Sequence, residues 1–235
     1  MTCEACRTIP PVIAAGYTAK GKYEDIAGLK TYVTGTQDAT IGLVAVYDVF
    51  GLAMQTLQGA DRLAAQLGAT VLVPDFFDGE AMKPEWYPPD TEEKMELVRT
   101  FVSGKAALPP NSEALKALMT ETKSRFSTVQ KWGAYGLCWG GKLLALNSGV
   151  GTPFVASGQA HPGRLEKTDA DTITIPHIVL ASKDEPADVV EEYSKIISSN
   201  GVGGKVETYS TMWHGWMGAR ANLEDEHAYA EYTRG

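Results

Sequence analysis

Cys138 stands in the run "AYGLCWGGKLL" (134–144), with Gly136 two residues before it and Gly140 two residues after. Small residues on both sides permit a sharp strand-to-helix turn in which the central side chain projects above a sheet and a helix N-terminus points at it. A thiol in that position is made more acidic by the helix end, and the turn leaves backbone N–H groups free to hold an oxyanion. The spelling points to nucleophilic attack on a carbonyl. The competing reading is an inert core thiol, because unpaired cysteine is among the most buried residue types.

A thiol nucleophile needs a base, and the chain has four histidines. His177 opens a strand and lies at the wrong end of a sheet, whereas His227 belongs to a polar terminal segment. His161 in "GQAHPGRL" follows a strand and is placed near the site as a substrate-binding candidate. His214 in "STMWHGWMG" also follows a strand, with Gly215 freeing its loop to place the ring. The chain order nucleophile, acid, histidine selects His214. The acid is then expected on the loop after the preceding strand, where Asp184 comes three residues past Ala181; Glu185 and Asp188 read as surface carboxylates. Cys138, His214 and Asp184 form the expected triad, with Asp184 orienting the imidazole and His214 drawing off the thiol proton.

These residues need a scaffold that gathers strand ends. From residue 41 onward, short β-rich runs alternate with longer helical ones. "IGLVAVYDVFG" (41–51) is nearly continuous apolar sequence, as in a central strand covered on both faces. "LQGADRLAAQLG" carries Leu57, Ala60, Leu63, Ala64 and Leu67 at helical spacing and closes on Gly68. Strands follow at 69–77, 131–137, 154–160, 174–182 and 205–211. Helices are expected after Pro88-Pro89, over 111–126, from about 140, over "ADVVEEYSKIISSNG" and from about 218. "KYEDIAGLKTYVTG" (22–35) reads as an edge hairpin. Such alternation means an α/β fold, a doubly wound, mostly parallel sheet with helices on both faces, in which ligands bind at the strands' carboxyl ends. The segment 78–90, "DGEAMKPEWYPPD", is irregular and is a candidate lid or substrate loop.

Composition bounds the partners. A formal charge of -8 over 235 residues disfavours nucleic acid, whose phosphates require Lys and Arg. No apolar run of about 18 residues is present and no membrane partner is expected, so the chain reads as cytoplasmic. Residues 1–235 read as one domain with an irregular N-terminal segment (1–20), forming a monomer or homodimer. Cys3 and Cys6 make a lone C-x-x-C, read as an unimportant tail or a redox pair; zinc would need two further ligands, and no metal or other cofactor is expected.

With "VYDVFG", "DRLAAQLGATVLVPDFF", "GLCWGG", "AHPGRL", "ASKDEPAD" and "HGWMGAR" in place, the chain resembles the dienelactone hydrolases of the α/β-hydrolase fold, particularly the fungal members. The resemblance implies a Cys, Asp, His triad at Cys138, Asp184 and His214. It further implies that Asp48 contacts the resting thiol and modulates it, that Val49 and Trp139 supply oxyanion-hole N–H groups, and that Arg220 anchors an anion. Trp86, Tyr87 and Trp216, with Trp139 and Trp213, suggest an aromatic-rich substrate pocket. The expected function is hydrolysis of a lactone or small ester through a thioester acyl-enzyme. Two other classes stand beside it: a non-hydrolytic cyclase, isomerase or lyase of a secondary-metabolite pathway on the same fold, and a small-molecule binding protein.

Overall fold

A computed structural model describes residues 4–13 and 16–235. Cys3 lies outside the described residues, as does the side chain of Cys6, so the C-x-x-C reading falls there. The strands are β1 (Lys22–Ile26), β2 (Leu29–Gly35), β3 (Ile41–Val46), β4 (Thr70–Pro74), β5 (Lys131–Leu137), β6 (Ala156–Ala160), β7 (His177–Ser182) and β8 (Gly204–Tyr209). They form one sheet in the order β1-β2-β4-β3-β5-β6-β7-β8. The helices are α1 (Ala5–Thr8), α2 (Met54–Leu67), α3 (Glu92–Ser103), α4 (Leu108–Arg125), α5 (Trp139–Leu146), α6 (Lys167–Ala170), α7 (Ala187–Ser199) and α8 (Glu226–Arg234).

The edge hairpin forms where the sequence places it. Ala27 and Gly28 adopt φ of 54° and 76°, the pair of left-handed residues that a two-residue hairpin turn requires. β1 and β2 pair antiparallel, β2 joins β4 antiparallel, and every other pairing is parallel. β3 lies inside the sheet between β4 and β5, and its Val44, Ala45 and Val46 are buried. Its uninterrupted apolar run is the consequence of cover on both faces.

From β3 the chain steps in one direction along the sheet to β4, and from β5 in the other to β6. Right-handed crossovers therefore put α2 on one face and α5 on the opposite one. α4, α5, α6 and α7 pack as one contiguous layer. On the other face α8 docks on α2, where the Tyr232 hydroxyl donates to Gln55 O at 2.6 Å. The reversal of direction opens a crevice at the carboxyl ends of β3 and β5, where open sheets bind ligands.

Most elements fall within a few residues of the sequence reading, and three differences bear on the site. β3 stops at Val46, and residues 47–51 turn away as a loop because Asp48 accepts the N–H of Phe50 and Gly51 takes φ of 75°. The last helix begins at Glu226 rather than near 218, since Asp225 caps it through the N–H of Ala228 while 210–225 runs as turns. Segment 78–90 carries a short 3-10 turn at Pro84–Trp86 and is seated on the body, with the Met82 N–H donating to Val49 O at 2.9 Å and Tyr87 buried against Phe50.

Candidate active site

β5 ends at Leu137, α5 begins at Trp139, and the single residue between them, Cys138, has φ of 51° and ψ of -109°. A non-glycine residue seldom holds such a conformation, and it persists only where the surroundings over-determine it. They do so here. The Cys138 N–H donates to Ala160 O at 3.1 Å, and Cys138 O accepts from the N–H of Gly163 at 3.0 Å. The glycines make the turn sterically possible: a Cβ on Gly136 would lie 2.2 Å from the Gly140 carbonyl, and one on Gly140 would lie 2.3 Å from Val46 O. Helix α5 can therefore start directly over β3 and β5, with its N-terminus beneath the thiol.

His214 lies on the loop after β8, buried and 3% exposed. Its Nδ1 is 2.7 Å from Glu185 Oε1. The carboxylate that meets the ring is thus Glu185, and the expected pairing with Asp184 is corrected. Asp184 instead accepts the backbone N–H of His214 at 2.8 Å. The reason is local: β7 runs one residue beyond its last apolar position, and the Ser182 N–H donates to Glu185 Oε2, which draws that side chain inward. The pair of acids divides its work, Asp184 holding the loop and Glu185 the imidazole.

The Nε2 side of His214 faces Cys138. Burial disfavours a charged imidazole, but the neighbouring Cys138 and then the Glu185 carboxylate favour it more, and the pKa is pushed up to about 10. His161 is fully buried with its ring edge-on to His214, the centroids 5.2 Å apart. Neither ring nitrogen of His161 has a hydrogen-bond partner. Burial, followed by the charges of His214 and Arg220, holds its pKa well below the ordinary value, so it stands as a neutral neighbour.

Cys138, His214, Val49 and Trp139 line one cavity of about 480 Å³. The N–H groups of Val49 and Trp139 donate no hydrogen bond to another described residue, and both residues line the cavity beside Cys138. The Trp139 side chain is turned into the body, its Nε1 donating to Ala106 O at 2.8 Å and its ring packed on Phe77. Backbone and side chain of this residue thus have separate tasks.

Other expected site residues do not line this cavity. Asp48 is buried, and its two oxygens accept the N–H groups of Phe50 (2.9 Å) and Ala219 (2.8 Å). Burial raises its pKa against the pull of those two N–H groups. It forms no hydrogen bond with Cys138; it ties the loop after β3 to the loop that carries His214. Arg220 is also buried, donating through Nε to Ile9 O at 2.6 Å with its guanidinium over the rings of Phe50 and Tyr87. It does not line the cavity. Trp216 stacks on Tyr209 at 4.6 Å in a separate apolar cluster, so its expected place in the pocket is corrected to a core position. Trp86 packs edge-on to Phe101, and neither it nor Tyr87 nor His161 lines the cavity. No group of His, Cys, Asp and Glu suited to a metal ion occurs among the described residues. No described helix is long and apolar enough to cross a membrane.

The sequence reading missed Glu185 as the imidazole partner and Lys142 as a wall of the cavity. Glu185 carried no signal that separates it from its neighbour Asp184. Lys142 sits one helical turn after Cys138, a spacing that puts it on the same side of α5.

Comparison with known proteins identifies the family and the fold. Residues 29–234 match the sequence profile of the dienelactone hydrolase family. An AIM2 family protein of Schizosaccharomyces pombe is 34% identical over 93% of this chain and 88% of its own length. A carboxymethylenebutenolidase homolog of Rattus norvegicus is 25% identical over 86% of this chain and 81% of its own. Among solved structures, the dienelactone hydrolase from Anabaena variabilis superposes with a TM-score of 0.62 at 14% identity, covering 91% of this chain and 93% of that one. A profile that spans nearly the whole sheet and includes all three residues of the cysteine, glutamate and histidine cluster leaves one conclusion: the chain is a hydrolase and belongs to the dienelactone hydrolase family.

Proposed function

We propose that the protein hydrolyses a lactone or small carboxylic ester in the cytoplasm through a thioester on Cys138, with His214 as proton carrier and Glu185 orienting it. The observation that carries this reading is the convergence of a thiol on a strained turn, a carboxylate-bound histidine and two undonated backbone N–H groups on one cavity. The Cys138 thiolate attacks the ester carbon, and the oxygen that becomes negative is held by the N–H groups of Val49 and Trp139. Collapse of the tetrahedral intermediate breaks the C–O bond, and the departing alkoxide takes the proton from His214. Forming the thioester removes the thiolate charge that had raised the imidazole pKa, so the acidity of His214 increases as the leaving group needs a proton. Neutral His214 then takes a proton from water, hydroxide adds to the thioester, and the thiolate leaves with release of the carboxylic acid.

Intact-protein mass spectrometry during turnover of activated aryl esters and lactones tests this scheme. An acyl adduct on Cys138 is expected, persisting longer in His214→Ala and absent from Cys138→Ala. Undiminished turnover by Cys138→Ala would overturn it.

A further inference from the structure

We infer that Lys142 is a positioning residue for this reaction: its ammonium fastens the loop after β6 and, through that loop, holds the turn at Cys138 and the ring of His214 in register. This rests on the hydrolase reading and adds a residue to the same site. The loop, residues 161–166, is bent against the preference of its own side chains. His161 has φ of 38° and Arg164 φ of 52°, both in the left-handed region that non-glycine residues seldom hold. Such backbone persists only where surrounding contacts over-determine it. Helix α5 supplies two of those contacts. Gly163 donates its N–H to Cys138 O at 3.0 Å, and at the next residue Arg164 O accepts from Lys142 Nζ at 3.2 Å.

The same ammonium lies 2.8 and 2.9 Å from the oxygens of Asp169 and 2.9 Å from Glu166 Oε2. Those two acids form the capping box that starts α6, so one buried cation ties the loop and α6 to the helix that begins beneath the thiol. Four protein oxygens engage its three protons, and its effect on the chemistry therefore passes through the loop. The loop bears on the reacting groups at two places. A Cβ on Gly163 would lie 3.1 Å from the carbonyl carbon of Cys138 and 3.2 Å from the nitrogen of Trp139, the backbone that sets the thiol and one oxyanion donor. His161, fully buried, presents its ring edge-on to that of His214 with the centroids 5.2 Å apart. Neither of its ring nitrogens is hydrogen-bonded, so packing and its backbone N–H, which donates to Leu180 O at 2.7 Å, place that ring. Thiol and base are thus braced from one loop, and Lys142 is its anchor.

Removing the cation alone would leave Asp169 as a buried, unpaired carboxylate and endanger the fold, so the test uses the double variant Lys142→Met/Asp169→Asn. Glu166→Ala, at the water-exposed arm of the same cluster, is the independent second variant. Three quantities are read: the thermal unfolding midpoint, kcat and KM on 4-nitrophenyl acetate, and the rate at which iodoacetamide alkylates the Cys138 peptide without substrate. With the variants folded at the assay temperature, kcat is expected to fall about 10²-fold in the double variant and about fivefold in Glu166→Ala, with KM within about threefold of wild type. Alkylation of Cys138 should slow at least about fivefold in the double variant and about twofold in Glu166→Ala. Wild-type kcat and alkylation in a folded double variant would reduce the cluster to a structural ion pair and overturn the inference. A raised KM with kcat and alkylation unchanged would make Lys142 a substrate contact and overturn it equally. Should the double variant not fold, Glu166→Ala decides by the same readings. Turnover that survives Cys138→Ala overturns the hydrolase reading, whereas alkylation, which needs no substrate, still decides whether Lys142 positions the thiol.

Discussion

Asp184 and Glu185 are consecutive carboxylates that grip different parts of the same histidine, one its backbone N–H and the other its ring. Removing them should therefore have unequal effects. Glu185→Gln is expected to lower kcat/KM about 10³-fold, because an amide favours the wrong tautomer and cannot stabilise imidazolium. Asp184→Asn should cost no more than about tenfold, since an amide oxygen can still accept the backbone N–H. Steady-state kinetics on one neutral aryl ester measures both, and the reverse ranking would return Asp184 to the role the sequence suggested. A second expectation concerns protonation. Blocking the thiol with iodoacetamide removes the group that, with Glu185, pushes the His214 pKa up to about 10, so that pKa should fall by more than about one unit in an NMR titration. The thiol at the end of β5 and the histidine beside it were legible because Cys138 stands between glycines directly after a strand and His214 precedes Gly215 on the loop after β8. The acid was not, because strand length sets which of two adjacent side chains turns inward, and that length depends on pairing with β8 through Ser182 and Tyr209.

At the scale of elements, the turn from β5 into α5 is a steric device written in glycines. Gly136→Ala and Gly140→Ala each bring a Cβ within 2.3 Å of backbone, so each should destabilise the protein by roughly 3 kcal/mol or more, read from denaturant midpoints or lost soluble yield. The foot of β7 carries a different constraint. His177 is fully buried, its Nδ1 2.7 Å from Ser157 Oγ and its Nε2 3.1 Å from Gln159 Nε2. Burial lowers its pKa to about 4. A histidine depressed in this way favours folding fully above the unfolded pKa near 6.5, and that advantage is lost as pH falls toward 4, by on the order of 3 kcal/mol. His177→Gln should accordingly lose less stability than the wild type between pH 7 and pH 4 in urea melts. The sequence placed His177 at the end of the sheet away from chemistry, and the structure agrees. It could not show the closed polar cluster around the ring, whose members come from β6, β7 and α7. The misplaced start of α8 has a similar origin: Gly215 at φ of 99° and Gly218 pressed against Asp48 hold 210–225 in turns for the sake of His214.

Across the whole molecule, the loops that carry the site are tied together from beneath. The Gln55 amide, 1% exposed on α2, lies 2.9 Å from Val12 O, 3.3 Å from Ala219 O and 3.2 Å from Ala221 O. It joins the N-terminal segment and the His214 loop to the body. Gln55→Leu takes this donor from the Val12 and Ala221 carbonyls, while Ala219 O keeps the Val12 N–H at 2.8 Å, and should cost about 1–3 kcal/mol in thermal or urea unfolding, with a smaller kcat on the same ester. The irregular N-terminal segment expected from the sequence includes α1, and its Ile9 and Val12 carbonyls belong to this clasp rather than to a free tail. The sequence by itself determined the α/β architecture, the edge hairpin, the strand-ending thiol and the histidine that meets it, because periodicity, turn glycines and chain order are local properties. Only the tertiary structure decided that Glu185 holds the ring, that Asp48 braces two loops, that Trp216 is core and that Arg220 lies over the rings of Phe50 and Tyr87. Each of those outcomes depends on which segments distant in sequence pack together, and so on burial and hydrogen-bond partners that no single stretch of residues encodes.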